Sequence, residues 1–559
     1  MKLRFRFPAI FLFVIIVTVT SCKKNNSEGR YIPATAHAAV HINLKSLSAK
    51  LPWSEIKNNP LFKSEHYTDS AWIKNIIDSP SVSGIDTDKE IIFFVQKENN
   101  GGYIAIEGNI KDEAAFKKFC SQLSGNNTVT ENEGINYISR FPACMGWNST
   151  KFVYIMDAPE LQSMDDLHRR MKKDSIDITD HKQRDVSATC KSIFELEEKN
   201  SLATDEKFSD LLKEEGDLHV WVNTEDFYKD VKLPGMFALL NLEKFYKGSV
   251  STASVNFENG SIKINAHSYS NAELSKVFKK FSGGKASEEM LKRIPGKDVA
   301  AALAVNFKPE ALMEIAKVIN LDGIVNGAAP VLGFNTSDFI KAIKGDIVLG
   351  LSDFKMITDS ITLYETGLHF PVIKHTFNTV FAASVADTTA FNKLIFNGKR
   401  AVAAFVNTDE VPLAYNYNSN YFSLSNTQAN ADAFINAPAN SREFINKISG
   451  SPVAGYANLQ SFIKGFESVA VKDSSSKKMY DASLKTWDNI LLKGGEFANG
   501  ALNYTIEINM GDKNSNSLKQ LNQYFALLGE IMNSQKRKEL EDMRAMEDAM
   551  PVEEEPKDK

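Results

Sequence analysis

Ala39-Val40-His41-Ile42-Asn43, His219-Val220-Trp221-Val222-Asn223, Ala302-Leu303-Ala304-Val305-Asn306 and Ala454-Gly455-Tyr456-Ala457-Asn458 are four writings of one phrase. Each is a short apolar run of strand length that stops at asparagine and passes into a helix-like stretch. Leu47, Phe227 and Phe462 each lie four residues beyond their asparagine, while the third copy, with Pro309 and Leu312, is looser there. Asparagine at such a junction is a favoured helix N-cap, because its side-chain oxygen accepts an otherwise unpaired amide of the first turn, worth about 1 kcal/mol. A metal or substrate role could also repeat an asparagine, but capping explains the strand-to-helix context as well. Asn43, Asn223, Asn306 and Asn458 are therefore expected to be structural N-caps.

Working outward from these phrases, the chain reads as written twice. Around residues 31–160 the first phrase is followed by Gly84-Ile85-Asp86 and a strand at Ile91 to Val95. A strand at Tyr103 to Glu107, a helix holding Phe116 and Phe119, and a strand pair ending at Phe152 to Ile155 complete the unit. Residues 293–430 retrace that order through Gly333-Phe334-Asn335, Ile347 to Leu351, Val380 to Ser384, a helix with Phe391, and Tyr421 to Leu424. A shorter unit follows each. Asn259-Gly260 and Asn499-Gly500 stand between alternating runs, the hairpin signal of a turn that needs positive φ. A helix with Leu274, Val277 and Phe278, or with Leu518, Leu521 and Phe525, comes next. Alternation such as Ile262, Ile264, Ala266 argues for antiparallel sheets with helices packed on one face. The expected fold is α+β with an internally duplicated A–B–A′–B′ architecture.

The boundaries follow. Residues 31–205 form the first A unit with a charged excursion near 160–205, and 206–288 the first B unit. Residues 289–447 form the second A unit, and 448–550 the second B unit with a C-terminal helix carrying Leu540, Met543, Met546 and Met550. Residues 551–559 are an acidic tail without the apolar content to fold. The excursion, with Asp165-Asp166-Leu167-His168-Arg169-Arg170, reads as a solvated helix or a partner-binding insertion.

The N-terminus carries an address. Lys2, Arg4 and Arg6 precede an apolar run from Phe7 to Val19, and Thr20-Ser21 supplies small residues before Cys22. That is a secretory signal too short to remain as a membrane span. Residues 1–21 are read as signal peptide, Cys22 as the lipid-attachment residue, and 22–30 as a tether. Loss of the signal takes three basic residues and moves the formal net charge from −5 to −8, which argues against nucleic acid as a partner. Export permits disulfides, yet Cys120, Cys144 and Cys190 leave at least one thiol unpaired, and a Cys144–Cys190 bond is one possibility.

The stretch Val19-Thr20-Ser21-Cys22 resembles the lipobox of bacterial lipoproteins, with Val19 in place of the more usual leucine. This implies a diacylglycerol thioether on Cys22 and an acyl chain, palmitate or similar, on its amine. Tyr31-Ile32-Pro33, Ala39 to Leu44 and Trp53-Ser54-Glu55-Ile56, with the length of 559 residues, resemble a lipoprotein family of Bacteroidota catalogued as domain of unknown function 4836. The resemblance implies an envelope setting and transfers no activity and no site residues. Lys23-Lys24-Asn25-Asn26-Ser27 lacks both an acidic surface-export tag and an aspartate retention mark, which favours the outer membrane with the protein facing the periplasm.

No catalytic pattern stands out. His37 and His41 share the spacing of a helical metal pair, but strand residues four apart lie about 13 Å from one another. The position of His41 holds Trp221, Ala304 and Tyr456 in the other phrases. There is no H-E-x-x-H and no G-x-S-x-G. Ser474 to Lys477 has S-x-x-K spacing in a polar setting that reads as a loop, and Ser282-Gly283-Gly284-Lys285 reads as a helix stop. The expectation is a lipid-anchored, non-enzymatic binding or scaffold component without metal or cofactor. Its partner would be an envelope protein, a saccharide or a peptide. The alternative is an envelope hydrolase or transferase with an unfamiliar site.

Overall fold

The computed structural model describes residues 28–60, 71–98, 101–125, 127–159, 184–229, 243–319, 321, 335–362, 369–405, 414–436, 438–471 and 473–549. Cys22, the core of the charged excursion at 160–183 and the acidic tail lie outside the described residues. Among the described residues, eighteen strands join in one sheet. They are β1 (Ala38–Ile42), β2 (Ile91–Glu98), β3 (Gly101–Asn109), β4 (Thr130–Asn132), β5 (Ile135–Arg140) and β6 (Ala143–Trp147). Next come β7 (Lys151–Asp157), β8 (Leu218–Asn223), β9 (Val250–Glu258), β10 (Ser261–Tyr269), β11 (Val299–Asn306) and β12 (Ile343–Thr362). The last six are β13 (His369–Val385), β14 (Ala414–Tyr417), β15 (Tyr421–Ser425), β16 (Val453–Asn458), β17 (Trp487–Ala498) and β18 (Ala501–Met510).

Every pairing is antiparallel, and the order across the sheet is 4-5-6-7-3-2-1-8-9-10-18-17-16-11-12-13-15-14. The α+β antiparallel reading holds. Outward from the central β10–β18 pair, β9, β8, β1, β2, β3 and β7 on one side follow the same succession as β17, β16, β11, β12, β13 and β15 on the other. The first half adds the β4–β5 hairpin at its margin. The β12–β13 hairpin is longer than its apolar pattern suggests. Beyond Ser352 the register slips and the strands continue through Lys355, Thr358 and Lys374, so pairing outlasts the burial that the sequence pattern detects.

Side chains alternate between two faces. On the core face, Phe94 and Trp221 pack against Ile32 of residues 28–36 and against Leu202, Phe208 and Leu211 of residues 186–212 in the first half. In the second half Met290, Leu291, Phe434, Ile445 and Ile448 seal the same face. The opposite face is covered near its two ends. There α1 (Glu113–Leu123) brings Phe116 and Cys120 onto Trp147, Phe152 and Met145, and α2 (Thr388–Phe405) brings Phe391 onto Val385 and Phe422. A helix at Ser517–Ala549 ties the end of the chain to its beginning, since Asn59 Nδ2 donates to Asn522 O at 3.0 Å and Lys519 pairs with Glu55 at 3.3 Å. Farther along that helix, Met532 and Met543 are exposed.

Three of the four asparagines sit at helix starts. Asn43 accepts from the Ser46 amide at 3.0 Å, Asn223 from Asp226 at 3.1 Å and Asn458 from Ser461 at 3.0 Å. Asn306 is not a cap. Its helix begins later, at Pro309, with Lys308 in the cap position and no side-chain bond. Proline needs no amide partner and presets the first helical φ, which moves the start past Asn306. Asn306 Nδ2 donates instead to Asp346 at 2.7 Å. Of the two Asn-Gly turns, Asn499-Gly500 has both φ values positive, 54° and 81°. At Asn259-Gly260 only the glycine is positive, at 73°, and Asn259 bridges to Asn516.

Candidate functional site

Antiparallel pairing of β1 with β8 sets His41 directly opposite His219, with both side chains on the core face. His41 Nδ1 and His219 Nδ1 are 3.1 Å apart, and His219 Nε2 lies 3.1 Å from the Glu214 carbonyl oxygen. The other ring nitrogen of His41, Nε2, lies 3.6 Å from Glu28 Oε2. Glu90 closes the group: one donor atom each from Glu28, His41 and Glu90 fall within 4.8 Å of one another. Glu90 is steadied by Asn109, whose Nδ2 donates to its backbone oxygen at 3.1 Å and its Oε1 at 3.4 Å. The same polar seam continues from Glu214, whose carboxylate pairs with His267 Nε2 at 3.2 Å. His267 Nδ1 in turn meets Asn503 of β18 at 2.6 Å.

Two strands from His41 on the same row, through Ile92, stands Glu107. It is 1% exposed and pairs with Lys151 Nζ at 3.3 Å. Burial pushes its carboxyl above the usual range, against the pull of Lys151. Burial, with the neighbouring His219, pushes His41 down to about 4, partly opposed by Glu90. His219 is lowered as well, by burial. In water these side chains would be held by solvent. Here the protein must supply every partner.

Strand order supplies a control inside the molecule. Ala304 of β11 faces Ala454 of β16 as His41 faces His219. Ala382 stands two strands beyond Ala304, through Val348, as Glu107 stands beyond His41. His41, His219 and Glu107 thus have alanine at all three matching places, and those alanines are buried in a dry core. The sheet packs without polar groups at these three places, so the seam of the first half is not a requirement of the architecture.

The opposite face presents different chemistry. One row crosses eleven strands from β1 to β15: Ile42, Leu218, Val255, Ile264, Ile506, Leu492, Gly455, Leu303, Leu349, Phe381 and Leu424. Gly455 is its one member without an apolar side chain. The others are partly exposed, and Leu349 reaches 45%. At the second half the row opens into a cleft of about 420 Å³ lined by Leu303, Leu349, Leu351, Phe381 and Leu424.

The remaining sequence candidates fall elsewhere. Cys120, Cys144 and Cys190 are buried, free thiols. Cys144 accepts a hydrogen bond from Ser139 Oγ at 3.3 Å; the neighbouring Cys190, with Ser139, holds the Cys144 thiol below its ordinary value, while Cys144 and burial raise that of Cys190. Burial pushes Cys120 up to about 12. Ser474 to Lys477 open a helix capped by Asp473, which accepts from the Ser475 and Ser476 amides, so the segment is helix rather than loop. The helix Ala272–Phe281 stops at Ser282, and Gly284 lies so close to Asn306 that a Cβ there would fall 1.9 Å from its Oδ1. His37 pairs with Asp226 at 2.9 Å, apart from the His41 group.

The sequence pattern described as Domain of unknown function (DUF4836) matches residues 29–366. A search of curated proteins returns no match. Among solved structures, crystal form IV of TP0453 is 11% identical with a TM-score of 0.24, covering 46% of this chain and 87% of that one. Crystal form I of TP0453 is 10% identical with a TM-score of 0.23, covering 44% and 80%. A likeness this slight speaks for neither fold nor activity.

Proposed function

The chain belongs to the family described as Domain of unknown function (DUF4836), and we propose that it is a lipid-anchored envelope protein that works by binding rather than by catalysis. On this reading Cys22 carries the lipid, the protein faces the periplasm from the outer membrane, and the two halves of the sheet derive from one duplicated unit. Its ligand is a lipid acyl chain lying along the apolar row. The observation that carries the reading is that row, ten apolar side chains over eleven strands, none fully buried. Partly exposed apolar continuity on this scale points to a binding surface. A peptide is the poorer fit: its amides need partners, and mid-sheet strands have already paired theirs with each other. Hydrocarbon asks for none.

The test uses the mature chain with Cys22→Ser, so that no attached lipid competes, and a fluorescent fatty acid as probe. Leu349→Asp should weaken binding at least tenfold, since one buried leucine contributes roughly 1.5–3 kcal/mol. Its exposed start should leave folding intact. Equal affinity in wild type and Leu349→Asp would end the acyl-chain reading. Metabolic labelling with a palmitate analogue, lost in Cys22→Ala, tests the anchor separately.

A further inference from the structure

The hydrogen bonds around His41 impose a proton order. The Glu214 carbonyl can only accept, so His219 Nε2 carries a hydrogen and donates to it. In a neutral ring His219 Nδ1 is then a bare acceptor. It faces His41 Nδ1 at 3.1 Å, which must therefore be the donor. The neutral His41 ring is left with its lone pair on Nε2, and that nitrogen points at the Glu28 carboxylate, 3.6 Å away, with Glu90 beside it. One lone pair and two partly exposed carboxylates thus converge on one point, a donor set that suits a cation.

We infer that Glu28, His41 and Glu90 bind one divalent transition-metal ion, and that His219 is the residue that positions the His41 ring for it. This goes beyond the proposed binding function and departs from the sequence expectation of no metal. Three observations converge on it. One imidazole nitrogen and two carboxylate oxygens suit zinc and its neighbours, whereas calcium prefers oxygen alone. A tetrahedral zinc with bonds of about 2.0–2.1 Å holds its ligands about 3.4 Å apart; the His41–Glu28 pair, at 3.6 Å, is close to that spacing. The outer groups are also of the kind that orient ligands, with His219 on the far ring nitrogen of His41 and Asn109 on Glu90.

The matching places in the other half, Ala304 and Ala454, hold no ligand, so one ion per chain is expected rather than two. Glu28 lies six residues after Cys22, and a metal there would pin the tether to the sheet. The site faces away from the apolar row, so its failure and that of acyl binding are separable.

The experiment is zinc binding by the tag-free mature chain after chelator treatment, read by calorimetry and by metal content after dialysis. Wild type should hold one zinc, and cobalt in its place should give a visible spectrum of mixed nitrogen and oxygen ligands. Glu90→Gln, which removes a partly exposed carboxylate and should fold, and His41→Ala, which installs the residue already used at 304, should lose at least a hundredfold in affinity. His219→Ala should lose on the order of 10–100-fold, and exposed Asp88→Asn should lose nothing. Absence of stoichiometric zinc in wild type, or unchanged affinity in both Glu90→Gln and His41→Ala, would overturn the assignment. The His41 ring would then be read as a protonated partner of the two carboxylates.

Discussion

Asp217 provides a quantitative probe of how the first half is held together. It is 0% exposed and stands just before β8. Its carboxylate accepts from Ser46 Oγ at 2.5 Å, from Lys50 Nζ at 2.5 Å and from the buried Phe257 amide at 2.7 Å. One side chain therefore locks the helix after β1, the β8 entry and the end of β9. Asp217→Ala leaves the Phe257 amide without a partner, costing about 1–3 kcal/mol. Loss of the two charge-assisted bonds adds to this. Lys50 is 28% exposed and can turn to water, which limits the ion-pair share. The sum is about 3–5 kcal/mol, in line with breaking a buried ion pair by removing one partner. Lys50→Ala should cost less, about 1–2 kcal/mol, because Asp217 keeps two hydrogen bonds. Urea unfolding of wild type, both single variants and the double variant would measure each term and their coupling. If Asp217→Ala lies within 1 kcal/mol of wild type, or Lys50→Ala costs more than Asp217→Ala, the assignment of Asp217 as the pin is wrong.

The caps and the thiols give two further expectations. Asn43→Ala and Asn458→Ala should each lower stability by about 1 kcal/mol in the same urea assay. Native-state alkylation followed by peptide mass analysis should label Cys144 ahead of Cys190 and Cys120. Its neighbours Cys190 and Ser139 favour the Cys144 thiolate, whereas the other two thiols are raised. Labelling of Cys190 first would contradict that order.

Much of the architecture was legible because it rests on local signals. Alternation in Ile262, Ile264 and Ala266, glycine in the tight turns and asparagine at strand ends are all readable within ten residues. Asn306 misled because a proline three residues on overrode the cap. The polar seam was not legible. His41 and His219 are 178 residues apart, and only the antiparallel register brings them together. Aligning the phrases on their asparagines sets His41 against Trp221, but in the sheet Trp221 faces Ala39 and His41 faces His219. Glu28 and Glu90 belong to no recognisable spacing, since one precedes the first strand and the other ends a loop. The apolar row was hidden for the same reason: each strand gives it a single residue.

The seam between the halves has a further consequence. β10 and β18 meet along nine residue pairs, from Ser261 with Asn509 to Tyr269 with Ala501, whereas the two outer margins of the sheet are β4 and β14, of three and four residues. Margins that short offer little for another copy to pair with, so many copies can crowd on one surface without polymerising. The seam is the reverse. A fragment ending before residue 289 would carry a bare nine-residue strand with its backbone donors and acceptors waiting, and would seek a second copy of itself. The protein is thus built to be kept whole: cutting it in two would turn its best-made contact into its most adhesive edge.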